Sequence, residues 1–157
     1  MQKSKQSEFT PFDAHTWRLA IVVAQFNADI TAQLLRSALK RAKAYSIPSG
    51  QINVLKVAGA VEIPLVLQQL AVSGKYTALL AIGCVIEGQT AHFEYVCKFV
   101  TEGVLSVQLK HSMPIGFGVL MCHTPAQAKA RAGLGGEHLD AVLHQTKALK
   151  QIKTGRD

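Results

Sequence analysis

Acidic residues are scarce in this chain, and so are aromatic side chains, cysteines and long apolar runs. There are 10 aspartates and glutamates against 17 lysines and arginines, which leaves a formal charge of +7. Aromatic residues make up 6% and include one tryptophan, and none is interleaved with the basic cluster Arg36, Lys40, Arg41 and Lys43 as a single-strand nucleic-acid binder needs. That cluster reads as the solvated outer face of one helix, so no nucleic-acid partner is expected; steering of an anionic small substrate is the other use of such charge. Three cysteines, Cys84, Cys97 and Cys122, form no C-x-x-C pair and no metal spacing, so no metal site is expected and each thiol reads as a small buried hydrophobe in a reducing compartment. Apolar runs such as Leu19 to Ala24 are far shorter than the ~20 residues that span a bilayer. Residues 1–8 lack the apolar core of a secretion signal. The expectation is a soluble, cytoplasmic protein with no membrane partner.

What is present is alternation. After a tail over residues 1–14, expected to be flexible, 15–157 reads as one domain. Four short runs read as buried strands, at 18–24, 52–57, 77–85 and 115–121. Between them lie helical segments at 30–45, 61–72, 91–109, 125–133 and 137–152, with Leu134-Gly135-Gly136 as a hinge before the last. Asn27 or Asp29 can cap the first helix. Pro64 requires a first-turn position, and Thr124-Pro125 is a start signal. Strands alternating with helices make an α/β fold, a three-layer sandwich in which a four-stranded parallel sheet is flanked by helices on both faces. Two glycines in 115–121 call for close backbone approaches there.

Ligands of such sheets bind beyond the carboxyl ends of the strands, here 25–27, 57–62, 85–90 and 121–124. The stretch Ile82 to Val96, IGCVIEGQTAHFEYV, concentrates the chemistry. Gly83 and Gly88 read as a turn between strand and helix, and the first amides of that helix can face an anion. His92 in its first turn adds an imidazole, the side chain that exchanges protons near neutral pH. The residues alone support an α/β domain holding a small anionic ligand at this rim. His123 lies beside the same rim, His15 and His111 read as surface residues, and His138 and His144 fall on the last helix with one side exposed.

FN at Phe26-Asn27, AGAVEIP at 58–64, IGCVIEGQTAHFEYV at 82–96, FGVL at 117–120 and ARAG at 130–133 follow one another in an order and spacing that resemble lumazine synthase. The resemblance implies the flavodoxin-like strand order and a cofactor-free condensation of 5-amino-6-ribitylaminouracil with 3,4-dihydroxy-2-butanone 4-phosphate. The product would be 6,7-dimethyl-8-ribityllumazine, the precursor of riboflavin, and riboflavin synthase would be an accompanying partner. Carried over residue by residue, Phe26 would stack on the pyrimidine. Ala60, Val61 and Glu62 would line the ribityl chain, and Cys84, Val85 and Ile86 would meet the pyrimidine edge. Gln89, Thr90 and Arg131 would hold phosphate, and His92 would carry protons. Phe117 and Arg131 would reach a neighbouring subunit's site in a homo-oligomer built from pentamers. Taken alone, Phe26 reads as a core residue, Glu62 as a first-turn glutamate, His92 as a surface histidine and Arg131 as a solvated arginine. Glu87 stands where the family usually has a basic residue, Val61 where it has an aromatic and Ala58 where it has proline. The segment LGGEHLD is shorter than usual and lacks lysine. These departures motivate the alternative of a catalytically weak relative that binds lumazine or flavin.

Overall fold

A computed structural model describes residues 9–155. Strand β1 spans Leu19–Ala24, β2 Ile52–Val57, β3 Ala78–Ile86 and β4 Ile115–Cys122. Helix α1 spans Ala28–Ala44, α2 Ile63–Val72, α3 His92–His111, α4 Pro125–Arg131 and α5 Gly135–Thr154. All three strand pairings are parallel, in the order β2-β1-β3-β4. This is the expected three-layer α/β sandwich.

The period-two alternation of each strand divides the core. Leu19, Ile21, Val23, Leu80, Ile82 and Leu120 pack against α1, α4 and α5. Ala20, Val22, Leu79, Ala81, Ile115 and Val119 pack against α2 and α3. Burial on both faces explains why β1 and most of β3 are apolar without interruption. Strand β2 lies at an edge and is only partly buried.

Missing side chains set the close contacts. A Cβ on Gly118 would meet the Ala81 carbonyl oxygen at 2.8 Å, and one on Gly116 would meet Leu80 Cδ1 at 2.7 Å, as the strand glycines predict. Gly103 looks like a weak point in α3, yet it makes room for Pro64, whose Cγ would lie 2.7 Å from an added Cβ. Pro64 falls in the first turn of α2, where its missing N–H costs no hydrogen bond. Thr124 caps α4 by accepting from the Gln127 N–H at 3.2 Å.

Several expectations need correction. Leu134-Gly135-Gly136 is no hinge: α5 begins at Gly135, and both glycines are buried against α1. Glycine there serves helix-on-helix approach, which composition alone does not separate from flexibility. Gly83 lies inside β3, which runs on to Ile86 before the chain turns. Arg41 leaves the solvated face of α1, and its Nε donates to Asp140 Oδ1 at 2.7 Å. The Tyr45 hydroxyl donates to the same oxygen at 2.5 Å. His111 is half-buried and not a surface residue. His138 and His144 are half-buried with one side exposed, as expected, and all three carry an Nε2 that is buried without a hydrogen-bond partner. Of the segment read as a tail, 1–8 lie outside the described residues. Ala14 is buried, and the Phe12 ring packs edge-on against Trp17, Tyr45 and His144.

Candidate active site

At the carboxyl ends of β1, β2 and β3 the chain opens into a cleft of about 480 Å³. Three segments build it, each leaving a strand end. Phe26 and Asn27 come from the turn after β1; Gly59, Ala60, Val61 and Glu62 come from the link into α2; 84–86 contribute the end of β3, and Gly88, Thr90, His92, Phe93 and Val96 the turn and the start of α3. Phe26, Ala60, Val61, Glu62, Cys84, Val85, Ile86, Thr90 and His92 all line it.

Each wall has a local cause. Phe26 is 74% exposed, so packing does not aim its ring. Its N–H donates to the Ala58 carbonyl at 2.9 Å and the Gln25 N–H to that of Val57 at 2.8 Å, extending the β1–β2 ladder past the strand ends. A 3₁₀ turn over Ala60–Glu62 leads into α2. Glu62 Oε2 accepts from the Gly59 N–H at 2.9 Å, which holds the carboxylate at the mouth of the cleft and ties the turn together.

At the β3 end, backbone groups of alternate residues point to opposite neighbours. The Glu87 N–H donates to the Cys122 carbonyl at 2.9 Å, on the β4 side. The Cys84 carbonyl points the other way and accepts from Asn27 Nδ2 at 2.8 Å. Ile86 shares that direction, so its amide and carbonyl are the pair aimed into the cleft. The Cys84 thiol is buried, and burial chiefly, with Cys122 and Asp29 adding to it, pushes its pKa up to about 11. It stays protonated and is no nucleophile near neutral pH.

The turn from 87 to 91 carries the polar groups. Thr90 Oγ1 accepts from the His92 N–H at 3.3 Å and so covers one of the free amides that open α3. His92 is exposed at the first helical position. Gln89 is exposed in the same turn without lining the cleft. Outside the cleft lining, His123 Nδ1 lies 2.5 Å from Glu87 Oε2, so the one acidic residue of this turn is paired with an imidazole.

Phe117 and Arg131 stand apart from the cleft lining. Phe117 is paired with Ala81 in the register of β4 on β3, five residues short of Ile86; at ~3.3 Å per residue it lies roughly 16 Å below the rim. Arg131 ends α4, half-buried, with Nη1 donating to the Gln127 carbonyl at 2.8 Å. Asn27 is the residue that sequence reasoning passed over. It reads as a helix cap and occupies the cap position, but its side chain makes no cap bond and crosses to β3. Its φ of 57° and ψ of 50° cannot be read from an isolated Phe-Asn pair.

Among the described residues no group of three or more histidines, cysteines or carboxylates is placed to hold a metal ion, and no helix is long and apolar enough to cross a membrane.

The family model for 6,7-dimethyl-8-ribityllumazine synthase matches residues 16–152. A 6,7-dimethyl-8-ribityllumazine synthase of Coxiella burnetii is 42% identical over 143 residues, covering 88% of this chain and 95% of its own length. Its counterpart in Desulfovibrio desulfuricans is 39% identical over 145 residues, covering 89% of this chain and 93% of its own. The one from Frankia casuarinae is 46% identical over 131 residues, covering 83% and 80%. With the cleft assembled from the same blocks of sequence, the chain belongs to the 6,7-dimethyl-8-ribityllumazine synthase family.

Proposed function

We propose that this cleft is where the chain condenses 5-amino-6-ribitylaminouracil with 3,4-dihydroxy-2-butanone 4-phosphate. The chain is a transferase of riboflavin biosynthesis by its family, and the observation that carries the site assignment is convergence. Residues 26, 60–62, 84–86, 90 and 92, far apart in sequence, line one cleft.

The exposed face of Phe26 takes the pyrimidine by stacking. The outward amide and carbonyl of Ile86, flanked by Cys84 and Val85, match the alternating donors and acceptors of its edge. Glu62, held by Gly59, accepts from ribityl hydroxyls beside Ala60 and Val61. Gln89 and Thr90 hold the phosphate where α3 begins. The 5-amino group attacks the ketone and water leaves as the imine forms. Loss of the proton on the neighbouring carbon together with phosphate gives an enol, which tautomerises to a new carbonyl. Attack of the ribityl-bearing nitrogen on that carbonyl closes the second ring with loss of water. His92 moves the protons at the mouth, and holding both reactants together supplies much of the acceleration.

Phe117 and Arg131 act from a neighbouring subunit in this reading, Arg131 pairing with the phosphate through parallel N–H bonds. In support, α3 presents Tyr95, Phe99, Leu105 and Leu109 to solvent at 71, 55, 52 and 70% exposure. At 100° per residue they fall within about a third of the helix circumference, a stripe that a lone protomer leaves wet. The pentamer is the assembly proposed. The cytoplasm is its compartment, in keeping with three free cysteines, and riboflavin synthase, which uses the product, is its partner.

The experiment is a mixture of purified protein with both substrates, followed by lumazine absorbance. Formation faster than the protein-free mixture is expected. Tight riboflavin binding with no product at saturating substrate would replace this reading with that of a lumazine- or flavin-binding relative.

A further inference from the structure

The Phe26 ring offers a face to the cleft, but only its backbone aims it. On the β2 side the ladder continues past the strand ends and reaches the Phe26 amide itself. On the β3 side the ladder stops early: β1 pairs with β3 only as far as Val23 opposite Ile82, while β3 continues to Ile86. The Asn27 side chain fills that gap. Its amide donates to the Cys84 carbonyl at 2.8 Å, joining positions 57 residues apart. It reaches there from a left-handed backbone, φ 57°, a conformation that asparagine adopts more readily than other side chains apart from glycine.

We propose that Asn27 is a positioning residue, whose bond to the Cys84 carbonyl fixes the spacing between the Phe26 ring and the β3 rim and so sets the slot for a planar heteroaromatic ring. It acts through Phe26, not on the reacting atoms. The inference rests on the cleft being the site of lumazine formation. Without the strut, the turn after β1 is pinned on one side only, and the ring can swing away from the Ile86 amide. The phosphate end, built on residues 89–92, does not depend on it. Loss of Asn27 therefore separates the two substrates: handling of the pyrimidine suffers and handling of the butanone phosphate does not.

Three variants divide the contributions. Asn27→Gly keeps the left-handed backbone free of strain and removes only the donor. Asn27→Asp keeps the shape and turns an acceptor toward the Cys84 carbonyl. Asn27→Ala removes the donor and adds backbone strain. KM for each substrate, kcat and the urea midpoint are measured for all three and for wild type. For Asn27→Gly the KM for 5-amino-6-ribitylaminouracil rises about tenfold, the size of one lost hydrogen bond, while that for the butanone phosphate stays within about twofold. Its urea midpoint falls by no more than that one bond accounts for, Asn27→Asp binds the pyrimidine more weakly still, and Asn27→Ala loses more stability than Asn27→Gly because strain is added. Wild-type KM values for both substrates in Asn27→Gly, or equal rises in both, overturn the positioning role while leaving the function intact. If wild type neither turns over nor binds the ribitylaminouracil in calorimetry, the function assigned to the cleft fails first and the positioning role with it.

Discussion

Gly135 meets Leu34 backbone to backbone: a Cβ added to the glycine would stand 1.8 Å from the Leu34 carbonyl oxygen. The Ser37 hydroxyl closes the same seam, donating to the Gly133 carbonyl at 2.7 Å and accepting from the Gly136 N–H at 2.9 Å. Gly135→Ala must push α5 off α1, since no flexible side-chain end is there to yield. A loss of at least about 3 kcal/mol in urea unfolding is expected, at the top of the overpacking range. Gly133→Ala has nothing within 4 Å of the new methyl and is expected to stay within about 0.5 kcal/mol of wild type.

Asp140 is the second tie between these helices, accepting from both Arg41 and Tyr45. Its side chain is 10% exposed and that of Arg41 33%, so Asp140→Ala leaves a buried phenol without its acceptor and a half-buried guanidinium with only the Phe9 carbonyl, to which Nη2 donates at 3.0 Å. A cost of about 2–3 kcal/mol is expected, reduced from the fully buried case by the water that reaches Arg41. Burial first, and the bond to Asp140 second, raise the Tyr45 pKa well above the usual phenol range. In a spectrophotometric titration Tyr45 is expected to remain protonated beyond pH ~10, and Tyr45→Phe should remove that late phase while leaving the earlier absorbance change in place.

His138 faces the sheet, its ring within 3.4 Å of a Cβ placed on Gly118. Burial lowers its pKa from 6.5, with Glu137 opposing more weakly. The folded state therefore takes up this proton less readily than the unfolded chain. The stability tied to His138 is full above about pH 6.5 and declines as pH falls below the unfolded value. Urea midpoints should drop between pH 7.5 and 5.5, and His138→Asn should flatten that decline. A steeper decline in the variant would contradict the assignment.

His92 and Arg131 are expected to separate by kinetics. His92→Ala leaves the reactants held together and should lower kcat about tenfold, with KM values little changed. Arg131→Ala removes a charge-assisted pair and should raise the KM for the butanone phosphate by roughly ten- to a hundredfold. Wild-type kinetics in Arg131→Ala would rule out the phosphate clamp.

The sequence made the layered architecture plain because uninterrupted apolar strands and helical spacing both report burial, and burial is what the layers share. The residues of the cleft were legible through motif blocks, which kept Phe26, Glu62, Thr90 and His92 in their order along the chain. Three features were not. Gly135 and Gly136 carry the same composition whether they bend or pack. Arg41 sits at a spacing that serves the surface as well as a partner on α5. Asn27 looks like a cap until the unequal lengths of β1 and β3 show a carbonyl left for it to take. In each case the deciding neighbour lies about 60 to 100 residues away, beyond any local pattern.

The two helix layers are unequal in how complete they are. One is fastened internally by a glycine seam and an ion pair; the other leaves a row of tyrosine, phenylalanine and leucine on α3 open to water. Whoever wishes to keep the isolated protomer in solution at high concentration should therefore recolour that row with polar residues and leave the fastened layer alone.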